Sequence, residues 1–208
     1  MDNQKLYKKA YYFATLTIIF TFIEAGISIY FGYSDESFTL LGFGIDSIIE
    51  LASAFGVAYM IRRIQENPKS KNRHHFEKNA LQIIGYGLIL LAIGLVISSL
   101  YNIFTQHKPE ATLSGIFISI SSIAVMYYLM INKEELGKQL SNEAILADAD
   151  CTKVCIYMSV IVLVSSVVYH FTNFIYIDAI GCLGLAYFCY KEGKEALENA
   201  KNDTHCTC

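Results

Sequence analysis

The sequence has no tryptophan, only two prolines and thirteen glycines in 208 residues. So little proline and glycine excludes a collagen-like or proline-rich chain, and an apolar share of 54% excludes a disordered one. Positive charge is scarce as well. Sixteen Lys and Arg face nineteen Asp and Glu, a net charge of −3, so the basic surplus that draws a protein to nucleic acid is missing. Six cysteines lying mostly within apolar sequence do not make the framework of a disulfide-stapled secreted domain. Strict alternation of apolar and polar residues is absent, which removes a membrane β-barrel. Almost no sequence is left over for a soluble domain, and nothing suggests an enzyme.

What is present is a set of apolar stretches of about 20 residues, the length that crosses about 30 Å of hydrocarbon as a helix. Six can be counted, at 11–30, 37–61, 80–105, 111–131, 144–169 and 174–190. Unpaired backbone N–H and C=O groups are intolerable in lipid, so each must be helical. The expected fold is all-α: a polytopic membrane protein with six transmembrane helices in one bundle. Residues 1–10 form an N-terminal segment, 11–191 the membrane domain and 192–208 a short tail. The first stretch follows Lys5, Lys8 and Lys9 as a signal peptide would, but it is too long and no small-x-small cleavage pattern follows it.

Charge sets the orientation. Lys5, Lys8 and Lys9, the 2–3 connection from Arg62 to Lys78, Lys133 and Lys138 between helices 4 and 5, and Lys191, Lys194 and Lys201 put fourteen of the sixteen cations on one side. Both termini are therefore expected in the cytoplasm. Lys108 is the one cation in the opposite connections, and Lys153 lies inside helix 5. Tyrosines such as Tyr11, Tyr12, Tyr30, Tyr101 and Tyr190 cluster near the expected interfaces, where an apolar ring with a polar tip is comfortable.

Polar residues at membrane depth are costly, and they are usually kept for pairing or transport. Helix 2 carries Asp46 and Glu50, four apart and so on one face. Helix 5 repeats that spacing with Cys151 and Cys155. At 1.5 Å per residue, Asp46 and Glu50 lie about 13 and 19 Å below the outer surface, and Cys151 and Cys155 about 10 and 16 Å above the inner one. The two pairs share a depth, so neighbouring helices 2 and 5 would bring two carboxylates and two thiols together. Such a set suits Zn²⁺ or a softer ion such as Cd²⁺, in competition with protons. Asp148, three residues before Cys151, is a candidate fifth ligand or proton carrier. A bland reading stands beside this one: a buried cysteine is often a small hydrophobe, and a membrane carboxylate often only pairs with a lysine. Asp150 and Lys153 are expected to pair, Glu24 and Asn102 to join interhelical hydrogen bonds, and Cys182 and Cys189 to pack.

At these residues the sequence resembles the cation diffusion facilitators. Residues 37–50, ending Gly-Phe-Gly-Ile-Asp46-Ser-Ile-Ile-Glu50, look like that family's second helix, where a His or Asp and an Asp four residues later bind metal. Ala147-Asp148-Ala-Asp-Cys151-Thr-Lys-Val-Cys155 looks like its Ala-Asp-x-x-His-x-x-x-Asp segment, with thiols at the His and Asp places. Asp178 stands where the family has the Asp-Pro start of helix 6, with Ala179 in place of the proline. The resemblance implies export of a divalent transition metal from the cytoplasm, in exchange for protons, across a plasma or bacterial inner membrane. The transported ion is the ligand, with no tightly bound cofactor and no nucleic acid. Family members usually continue into a cytoplasmic metal-binding domain, whereas about eighteen residues follow helix 6 here, so a homodimer is expected to form through membrane helices. Two other readings stay open: a membrane thiol carrier relaying electrons through its cysteines, and a metal receptor or scaffold that transports nothing. His74-His75 and the terminal His205-Cys206-Thr-Cys208 are weaker metal-capture candidates.

Overall fold

The computed structural model describes residues 3–34, 38–66, 73–105, 113–172 and 176–202. They form six helices: α1 (Asn3–Ser34), α2 (Phe38–Glu66), α3 (Arg73–Thr105), α4 (Leu113–Leu140), α5 (Glu143–Thr172) and α6 (Ile177–Asn202). No strand occurs among the described residues. Each expected stretch lies within or largely overlaps one helix, and most helices run past the apolar limits because backbone hydrogen bonding continues where the lipid ends.

Polarity is turned inside out. Ile19, Phe22 and Ile23 of α1, Leu90 and Ile97 of α3, and Val164 and Phe171 of α5 are exposed, while each helix of an inner ring buries a polar stripe. On α1 the stripe is Thr17, Thr21, Glu24 and Ser28; on α5 it is Asp148, Thr152, Cys155 and Ser159. Both follow steps of four, three and four residues, the spacing of one helix face. Apolar residues outside and polar ones inside suit a lipid solvent. Four segments, Gln4–Phe31, Gly42–Glu66, His74–Thr105 and Ile116–Leu140, are long and apolar enough to cross a membrane by themselves. α5 and α6 carry more charge, Asp148, Asp150 and Lys153 in one and the 191–202 end in the other.

The ring closes as α1 on α2, α2 on α5, α5 on α4 and α4 on α1, with α3 and α6 packed together against its flank. Helices 2 and 5 are thus neighbours. The tail expected over 192–208 remains helical to Asn202, because Gly193, Ala196 and Ala200 keep a small buried face against α3. A Cβ on Gly85 would come within 2.9 Å of the Gly193 carbonyl oxygen, the close backbone approach that small residues allow in membranes.

The α4–α5 connection sets the register of the inner faces. Ser141 N–H donates to the Lys138 carbonyl at 3.3 Å and Asn142 N–H to that of Gly137 at 3.1 Å, the paired bonds of a Schellman motif. Ser141 takes a positive φ of 47°. The Asn142 side chain then caps α5 by accepting from Ile145 N–H at 3.0 Å. One consequence corrects the sequence reading: α4 carries Lys133 inside the bundle rather than in a connection. It is 2% exposed.

Candidate metal site

Asp46 and Glu50 occupy one face of α2 and are buried, at 2% and 0% exposure. Cys155 reaches them from α5. Its Sγ lies 2.9 Å from Asp46 Oδ2 and 2.9 Å from Glu50 Oε2. A thiol has one proton and donates one hydrogen bond at a time. Two carboxylate oxygens pressed against one sulfur therefore need more positive charge than that proton supplies, or a further proton of their own. Glu50 Oε1 is buried without a hydrogen-bond partner. As it stands, Cys155 bridges the two acids. Among the described residues no three His, Cys, Asp or Glu side chains are arranged so as to hold a metal ion in this structure.

The other expected residues take different positions. Cys151, one turn along α5, is 3% exposed and within electrostatic reach of Glu50, Asp148 and Asp46, but makes neither of the close contacts that Cys155 makes. Asp148 has partners of its own. Its Oδ2 lies 2.9 Å from Lys133 Nζ, and its Oδ1 accepts from Ser53 Oγ at 2.7 Å. Both oxygens are engaged, and the carboxylate is one half of a buried ion pair. Glu24 accepts from Ser47 Oγ at 3.3 Å across α1 and α2, as expected, while its Oε1 is buried and unpartnered. Asp150 and Lys153 pair at 3.4 Å on the outside of α5. Cys182 and Cys189 are unbridged and buried in the apolar core. His74 and His75 are exposed in the first turn of α3, and 205–208 lie outside the described residues.

A model of the cation efflux transmembrane domain matches residues 14–201, nearly the whole chain. The chain belongs to the cation efflux family. The domain is that of a metal-cation efflux transporter, a multi-pass membrane protein whose substrate is a metal ion. The buried acids of α2 are the second-helix pair on which the sequence resemblance rested, and α5 is the helix that meets them.

Sequence reading missed Lys133, and the signal was present. Ser119, Ser122, Met126, Leu129, Lys133, Leu136 and Leu140 follow alternating steps of three and four, and all are buried. A lysine at such a position belongs to the inner face, although the apolar run stops at Ile131.

Proposed function

We propose that this cation efflux protein exports a divalent transition-metal ion, Zn²⁺ or a softer ion such as Cd²⁺, from the cytoplasm in exchange for protons. The observation that carries the reading is the meeting of Asp46 Oδ2, Glu50 Oε2 and Cys155 Sγ within 2.9 Å contacts at the centre of the helix ring. A carboxylate pair with a thiolate offers a divalent ion both charge and a soft donor, and Cys151 lies one turn away as a fourth donor. Asp148, held by Lys133, stands outside that set. Coordination requires the thiol to lose its proton, so metal entry and proton release are coupled at the same atoms. Rocking of helices around a site near the membrane midplane then exposes it to one side and the other in turn.

In the cell the protein sits in the plasma or bacterial inner membrane. The test is uptake into proteoliposomes under an imposed pH gradient, across a panel of Zn²⁺, Cd²⁺, Mn²⁺ and Mg²⁺. Zn²⁺ and Cd²⁺ should move and collapse the gradient. Movement of none of the four, or of Mg²⁺ alone, overturns the reading.

A further inference from the structure

Beneath the acid–thiol point, toward the α4–α5 turn, a second polar layer crosses the ring. Lys133 Nζ bonds Asp148 Oδ2 and Thr152 Oγ1, each at 2.9 Å, and Ser53 Oγ bonds Asp148 Oδ1 at 2.7 Å. Lys133 comes from α4, Asp148 and Thr152 from α5, and Ser53 from α2. Asp148 precedes Cys155 by seven residues, about 10 Å of helix. Ser53 follows Glu50 by three residues toward the same end. That end carries most of the Lys and Arg and faces the cytoplasm. An ion passing along the ring between cytoplasm and Cys155 meets an ammonium bonded into its path.

The pair is an odd choice for merely holding two helices together. Apolar side chains of similar volume hold a buried contact as well, without the desolvation that two charges suffer. What charges add is exchange of partners. With Lys133 in place the path is closed and the ammonium repels an arriving cation. With Lys133 withdrawn on its flexible stem, Asp148 becomes an anion facing the cytoplasm.

We propose that Lys133 and Asp148, supported by Thr152 and Ser53, form the cytoplasmic latch of the transport path, shut in this structure and opened when α4 parts from α5 at that level. Its purpose rests on the transporter reading, but its test does not.

The test is the rate at which Cys155 in the full-length protein, held in vesicles, reacts with a membrane-impermeant maleimide added from the cytoplasmic face. Peptide mass spectrometry reads that residue among the other cysteines. Lys133→Met combined with Asp148→Leu removes the latch without leaving a lone charge. If the open state is a minor one, this double change should raise labelling about ten-fold or more. Exchanging the charges, Lys133→Asp with Asp148→Lys, should return it toward the wild-type rate. Unchanged labelling in a folded double variant, or an equal rise from the opposite face, overturns the latch. Should the double variant not fold, Lys133→Cys with Asp148→Cys, bridged by a short thiol linker, replaces it: bridging should hold Cys155 labelling at or below the wild-type rate, and faster labelling overturns the proposal. Metal uptake by the wild type in parallel vesicles tests the transporter reading separately, since its failure leaves the labelling result intact.

Discussion

If a metal ion binds between Asp46 and Glu50 as proposed, the identity of residue 155 sets which kind of ion is held. Sulfur prefers soft ions, so Cys151→His with Cys155→Asp should move preference from Cd²⁺ toward Zn²⁺ in uptake assays. Asp46→Asn should lower transport of both by about 100-fold or more, since it removes a ligand together with its charge. A thiol carrier predicts near-normal function for Asp46→Asn. Lys133 allows a stability prediction. Lys133→Met alone leaves Asp148 buried and uncompensated and should cost about 3–5 kcal/mol, whereas adding Asp148→Leu should recover most of it. Thermal melting of the purified variants reads both. Asp46, Glu50 and Cys155 were legible from spacing and depth. The difference between Cys151 and Cys155 was not, because an i,i+4 pair shares a face while only its neighbours decide which member is touched. The pairing of Asp148 was not legible either, because its partner Lys133, eight residues before the turn, meets it from α4.

Apolar length predicted six helices, and rise per residue a shared depth for the polar pairs of α2 and α5, but neither predicted where the helices end. Hydrophobicity reports where lipid stops, whereas caps and turn chemistry stop the helix. The α4–α5 turn shows the difference. Ser141 holds a left-handed conformation that costs an L-residue roughly 1–2 kcal/mol, so Ser141→Gly should stabilise the protein by up to about 1 kcal/mol after the extra chain entropy of glycine is offset. A lower melting temperature for that variant would contradict the turn. At the α3–α6 crossing, a Cβ on Gly85 would approach Leu197 Cγ to 2.7 Å and the Gly193 carbonyl oxygen to 2.9 Å. Backbone cannot move as a flexible side chain can, so Gly85→Ala should destabilise by about 1–3 kcal/mol.

At the scale of the whole molecule, the described residues bury four carboxyl groups inside the ring, those of Glu24, Asp46, Glu50 and Asp148, with one ammonium, that of Lys133. These acidic groups line the inside of the ring rather than its apolar outer surface. Moving Lys133 to the interior leaves thirteen of the sixteen cations on the side of the termini. That asymmetry still orients the bundle. A reporter fused after Cys208 or inserted near Lys71 should read cytoplasm, and one near Lys108 the outside. The central claim, that a divalent ion is held by carboxylates and thiol together, is tested most directly by zinc X-ray absorption on the purified, Zn²⁺-loaded protein with Cys206→Ser and Cys208→Ser, which removes the tail thiols. The account predicts a mixed shell, sulfur at about 2.3 Å beside oxygen at about 2.0–2.2 Å, with the sulfur signal falling in Cys155→Ser. A shell without sulfur, or one that Cys155→Ser leaves unchanged, would contradict it.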